Sequence, residues 1–183
     1  MLSGDFAMQR IGYAPGAYDL FHIGHLNLLK RAKAECDYLI AGVVSDDMIR
    51  VKKGITPVIP LAERLEIVRS VRCVDEVLAE DVPNRMDVWI AIRFNVIFKG
   101  DDWRGTDKGN RLEQDFAAVG VEVAYFTYTA STSSTALRRA LANIDRLADR
   151  RVVGSPKPVR DLHRISFHTN GSSSCEQFPD YAI

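Results

Sequence analysis

Gly16-Ala17-Tyr18-Asp19-Leu20-Phe21-His22-Ile23-Gly24-His25 carries two histidines around a glycine, where an apolar strand pattern gives way to a helix pattern. Upstream, Ile11 to Ala14 reads as a strand; downstream, Leu26, Leu28, Leu29 and Ala32 lay an apolar stripe on a helix. Half of the four histidines of the chain fall in this segment. Imidazoles three residues apart share a helix face. The first turn of a helix offers unpaired N–H groups and a positive dipole end, so the segment suits an anion, of which a nucleotide phosphate is the one expected.

Outward from this point, apolar runs of strand length alternate with amphipathic stretches almost to residue 150, the pattern of a parallel sheet flanked by helices. The reading is an α/β fold: a single Rossmann-like domain with a five-stranded parallel sheet. Further strands are expected at Tyr38 to Val44, Glu76 to Ala79, Val96 to Lys99 and Val121 to Tyr125. Helices are expected at Ala62 to Val71, Met86 to Arg93, Arg111 to Val119 and Ser134 to Arg150. Residues 1–10 read as an N-terminal extension and 11–150 as the domain. Residues 151–183, with Gly154-Ser155-Pro156-Lys157-Pro158 and the Gly171 to Ser174 run, read as a poorly ordered tail.

The 183 residues suit one domain, whose usual size is roughly 100–150 residues. Lysine and arginine number 24, as do aspartate and glutamate, which argues against a nucleic-acid partner. Three scattered cysteines, Cys36, Cys73 and Cys175, make neither a disulfide framework nor a zinc pattern and suit a reducing cytoplasm. Met1 to Gln9 lacks the layout of a targeting signal, and no apolar span reaches about 18 residues, so no membrane partner is expected.

Ligands of open α/β sheets sit beyond the carboxyl ends of the strands. There the sequence places Lys52-Lys53 on a loop after Ser45-Asp46-Asp47, Gly100-Asp101-Asp102-Trp103, and the hydroxyl-rich Thr127 to Thr135. Lysines suit phosphate as point charges. Trp103 brings a stacking face and a donor. The hydroxyls can cap a helix or join its N–H groups on phosphate.

Taken in order, the Gly16 to His25 segment, Arg72-Cys73-Val74-Asp75-Glu76-Val77, Gly100-Asp101-Asp102-Trp103 and the final Ser/Thr cluster resemble the motifs of the nucleotidyltransferase superfamily. Within it they are most similar to glycerol-3-phosphate cytidylyltransferase-like proteins. The resemblance runs from about residue 11 to 145. It implies transfer of CMP from CTP to a small alcohol phosphate, glycerol 3-phosphate first, with release of pyrophosphate. It implies His22, His25 and Lys52 as catalytic. It assigns the nucleotide to Gly16, Ala17, Tyr18, Gly24, Gly100, Asp101, Asp102, Tyr128, Thr129, Ser133, Ser134 and Thr135, with Gly16 and Gly24 clearing its path. It assigns the alcohol phosphate to Asp19, Lys52, Lys53, Arg72, Arg85 and Trp103, ranking Arg72 above Arg64.

Two departures stand out: Tyr128 replaces an arginine of the resembling proteins and Ala17 a threonine, and Arg138 or Arg139 would supply a compensating cation. Magnesium is expected to travel with the triphosphate, with no dedicated protein ligands, and the resemblance implies a homodimer. Two other readings stay open: an adenylyltransferase using ATP on a sugar or pantetheine phosphate, and a catalytically silent nucleotide-binding regulatory module. A class I aminoacyl-tRNA synthetase is disfavoured by the short neutral chain and by the lack of a Lys-Met-Ser-Lys-Ser loop.

Overall fold

The computed structural model describes residues 9–127 and 132–152. Strands β1 (Ile11–Gly16), β2 (Tyr38–Val44), β3 (Glu76–Glu80), β4 (Val96–Gly100) and β5 (Glu122–Phe126) form one parallel sheet in the order β3-β2-β1-β4-β5. Helices α1 (Ile23–Ala34), α2 (Asp46–Lys53), α3 (Leu61–Arg69), α4 (Arg85–Ile92), α5 (Asp107–Ala117) and α6 (Ser134–Val152) connect and flank it. This is the Rossmann-like α/β architecture expected. No helix among the described residues is long and apolar enough to cross a membrane.

The strands read as continuous apolar runs because both faces of the sheet are covered. Leu39, Ala41 and Val43 of β2 join Ala14, Val96 and Phe98 under Leu29 and Ala32 of α1 and Val68 of α3. The alternate residues Tyr13, Ile40 and Ile97 pack on the other face with Val88 of α4 and Leu112 and Phe116 of α5. Tyr13 also sets a constraint on β2: a Cβ on Gly42 would overlap the Tyr13 hydroxyl, which crosses over that glycine to reach Glu80 at 2.8 Å.

One element departs from expectation. Lys52 and Lys53 end a helix, α2, instead of lying on a loop. Ser45 caps its start, accepting from the Met48 N–H at 3.2 Å; Asp46 and Asp47 occupy the first turn, and Gly54 at φ 65° ends it. Only Ile49 is buried, and with 8 residues the helix makes only about two turns, too few for its apolar period to stand out. Similarly, α5 begins four residues before the expected Arg111 because Thr106 accepts from the Gly109 N–H.

Buried polar groups hold the loops above the sheet. The Arg64 guanidinium, fully enclosed on α3, donates to the carbonyls of Ile59 (2.9 Å), Val44 (2.9 Å) and Ala17, and to Asp46. Asp19 accepts from the N–H groups of Val58 (3.1 Å) and Ile59 (2.9 Å) and from Arg138, while Ser134 Oγ donates to the Asp19 carbonyl at 2.8 Å. Burial pushes the Asp19 carboxyl up, but these hydrogen bonds outweigh it and hold it below the usual range. Removing the guanidinium strands several buried acceptors. Arg64→Met is therefore expected to cost about 3–5 kcal/mol in urea unfolding, whereas the exposed Arg72→Met should change stability by less than about 0.5 kcal/mol.

Candidate active site

The two histidines of the opening segment form the cap of α1. His22 is the N-cap residue, its Nδ1 accepting from the Gly24 N–H at 3.0 Å; His25 Nδ1 in turn accepts from the His22 N–H at 3.4 Å. This is a capping box in which imidazoles take the places of the hydroxyl and the carboxylate. Accepting at Nδ1 puts the ring proton on Nε2. The rings stack with centroids 4.0 Å apart, and Tyr18 and Phe21 close around His25. Burial, and then the neighbouring His22, bring His25 down to about 4; burial lowers His22 as well. Both are neutral donors near pH 7, and His22 Nε2 is enclosed without a protein partner.

Gly24 serves this cap: a Cβ there would stand 2.8–2.9 Å from Cε1 and Nδ1 of the His22 ring. Gly24 also lines the cavity described next, as its expected place beside the nucleotide requires.

Both histidines face a cavity of about 710 Å³ at the carboxyl ends of the strands. The sheet order reverses between β1 and β4, which is the crevice such folds use. Gly16 and Ala17 line it from β1, Lys52 and Lys53 from α2, Arg85 from α4, and Gly100, Asp102 and Trp103 from the segment after β4. Burial lowers both Lys52 and Lys53, reinforced by Arg85 at Lys52 and by Arg138 at Lys53. Arg31, Lys108 and Arg111 add further cations to the wall.

Sequence reasoning passed over two residues at its floor, Glu80 and Lys99. Glu80 is 1% exposed, receives the Tyr13 hydroxyl, and lies 3.8 Å from both Lys52 Nζ and an Arg85 terminal nitrogen. Its Oε1 has no hydrogen-bond partner. Lys99, 5% exposed, donates to the Pro15 carbonyl at 3.3 Å, and its Nζ lies 4.7 Å from the centroid of the Trp103 ring, which the Arg85 guanidinium also covers at 5.3 Å. A signal was present: each is a charged residue at the carboxyl end of a parallel strand buried among apolar ones.

Other expected site residues stand elsewhere. Tyr18 is a core residue at φ 52° whose hydroxyl donates to the Ala14 carbonyl at 2.8 Å. The Asp19 carboxylate is consumed by the loop clamp described above, together with Arg138, so neither is a free ligand for substrate. Arg72 is exposed in the turn after α3 and off the cavity wall, as is Asp101 in the 3₁₀ turn Asp101–Trp103. Ser133 caps α6, accepting from the Ala136 N–H at 3.2 Å; Ser134 is turned to Asp19, and Thr135 is exposed. Tyr128 and Thr129 lie outside the described residues.

A helix N-terminus and a ring of cations at the switch point of a parallel sheet define a Rossmann-like crevice whose chemistry suits phosphate groups. The cytidylyltransferase-like family model matches residues 13–140, and the chain belongs to that family. It is 41% identical over 96 residues to ethanolamine-phosphate cytidylyltransferase of Dictyostelium discoideum, covering 51% of this chain and 27% of that protein. It is also 41% identical over 95 residues to bifunctional protein HldE of Acidiphilium cryptum, covering 51% and 20%. The chain thus matches only about a quarter or less of the length of these two relatives. Among solved structures, the lipopolysaccharide core biosynthesis protein from Thermoplasma volcanium superposes with a TM-score of 0.57 at 24% identity, over 66% of this chain and 97% of that one, and shares the fold.

The depressed imidazoles have a consequence for acid stability. An unfolded histidine takes its proton near pH 6.5, while His25 in the folded chain resists it down to about 4. The folded state is favoured fully above 6.5 and loses stability as the pH falls from 6.5 to 4, by on the order of 2–3 kcal/mol. Urea unfolding across that window should show this slope, and His25→Asn should flatten most of it, leaving the part due to His22.

Proposed function

We propose that the chain transfers CMP from CTP to a small alcohol phosphate, forming a CDP-alcohol and pyrophosphate. The observation that carries this reading is the histidine cap: backbone N–H groups occupy both Nδ1 atoms, leaving two neutral Nε2–H donors at a cation-lined cavity. The acceptor phosphate oxygen attacks the α-phosphorus of CTP. A P–O bond forms there, the α–β bridging bond breaks, and its electrons leave with pyrophosphate. The nucleophile is already anionic, so no base is needed; alignment and stabilisation of the growing charge supply the catalysis. His22 and His25 donate to the α- and β-phosphate oxygens, and Lys52 and Lys53 balance the phosphates across the cavity.

Magnesium enters this reading with the triphosphate, where it shields the phosphate charge. Among the described residues no three potential metal ligands converge. The wall carboxylates, Asp102 and Asp115, fit an ion held mainly by phosphate and water.

The acceptor half of the cavity favours glycerol 3-phosphate over phosphoethanolamine. An ammonium group would need an open aromatic face or a free carboxylate. The Trp103 ring already carries Arg85 and Lys99, and Glu80 is already flanked by Lys52 and Arg85. Hydroxyl groups meet no such conflict.

Pyrophosphate release tests this, with CTP or ATP offered against glycerol 3-phosphate and phosphoethanolamine in magnesium buffer. Release is expected with CTP and glycerol 3-phosphate, and His22→Ala or His25→Ala should lower kcat by about 10²–10³ with circular dichroism unchanged. Turnover with ATP alone would overturn the choice of nucleotide. A preference for phosphoethanolamine would overturn the choice of acceptor, and near wild-type rates in both histidine variants would remove the donor assignment.

A further inference from the structure

Lys99 is the most deeply buried cation on the cavity wall, and the transfer chemistry above makes no use of it. A lysine closing an interior strand of a parallel sheet would normally be replaced by an apolar residue, because burying an ammonium costs several kcal/mol unless charge and hydrogen bonds compensate. Its ammonium has three donors, and one of them reaches the Pro15 carbonyl. Around it stand Glu80 from β3, Lys52 from α2, Arg85 from α4, and Asp102 and Trp103 from the turn after β4. Burial, reinforced by Arg85, lowers Lys99 well below the ordinary lysine range despite the opposing Glu80 and Asp102.

The charge pattern is lopsided. Lys52 and Arg85 each lie 3.8 Å from the deeply buried Glu80, whose Oε1 accepts no hydrogen bond; Lys99 feels the same carboxylate, and Arg85 and Lys99 flank one indole. Lys52, Arg85 and Lys99 stand against Glu80 and Asp102, so the recess keeps one more basic than acidic side chain. A phosphomonoester anion is the complement of that excess in sign.

From this arrangement we infer that Lys99 is a binding residue for the acceptor's phosphate, which sits at the floor of the cavity between Lys52, Arg85 and Lys99 beside the Trp103 ring. Glu80, held by Tyr13 across Gly42, is a positioning residue that keeps the three cations together while the recess is empty. The inference deepens the transfer reading by assigning the acceptor half of the same cavity, and rests on that reading for the name of the acceptor.

Binding can be measured without turnover. Isothermal calorimetry at pH 8, with and without CMP, would titrate glycerol 3-phosphate and inorganic phosphate into the full chain and into Lys99→Met. The exposed Lys30→Met serves as a surface-charge control. Lys99→Met is expected to weaken both ligands at least tenfold, while its Tm stays level or rises because a buried charge becomes an apolar side chain. Lys30→Met should bind as the unmodified chain does. Affinity of Lys99→Met within twofold of the unmodified chain would overturn the inference. So would a fall in its Tm of several degrees, the mark of a merely structural lysine, or failure of the unmodified chain to bind either ligand under both conditions. If Lys99-dependent binding holds but no nucleotide yields pyrophosphate, the transfer reading fails while the phosphate site stands.

Discussion

Three carbonyls from separate parts of the chain, those of Ala17, Val44 and Ile59, converge on the guanidinium of Arg64. A carbonyl buried without a donor costs about 1–3 kcal/mol, so these segments are held to one another by shared dependence on a single side chain. Ile59 is gripped from both sides, its carbonyl by Arg64 and its N–H by Asp19. Through Asp19 the grip extends to Arg138 and Ser134 at the start of α6. The ends of β1 and β2 and the starts of α2, α3 and α6 are thereby registered against one another before any ligand contributes. The cavity owes its shape to two charged residues that stand behind its wall.

Division of labour follows from where charge can be tolerated. Interior strands β1, β2 and β4 are apolar on both faces along their length, and polar groups are admitted only at their carboxyl ends, where the crevice opens. Each strand that borders the crevice delivers something different there. β1 leads to the histidine cap, β2 to the lysines at the end of α2, β3 to Glu80, and β4 to Lys99 and Trp103. Neutral donors thus stand above the middle of the sheet and cations surround them, an arrangement that suits the proposed transfer, in which charge grows at the α-phosphorus.

The order of strands and helices was readable because buried parallel strands and striped helices differ in apolar period, and that contrast survives in a single sequence. What failed were one short helix and features decided by a partner remote in the chain. α2 has start and stop signals but only 8 residues, too few for its period to stand out. Asp19 was assigned to the acceptor through the resemblance of its motif; its partners, Val58, Ile59 and Arg138, lie about 40 to 120 residues away. Arg72 and Arg64 resemble one another as arginines on or near one helix, yet one points to solvent and the other is enclosed. His22, Gly24 and His25 were legible as a unit because their hydrogen bonds are local, spanning two and three residues. Lys99 and Glu80 were legible in principle as charges interrupting apolar strands.

Placing the donors in the helix cap also decides when their freedom is lost. A histidine in a loose loop would surrender its side-chain rotamers at the moment of binding, and association would be weakened by that ordering, typically by 0.5–1.5 kcal/mol for each immobilised side chain. Here each ring is locked by a backbone amide and by its stacked neighbour as α1 forms. The entropy is surrendered during folding, once, so that in the proposed reaction a nucleotide meets both donors already aimed.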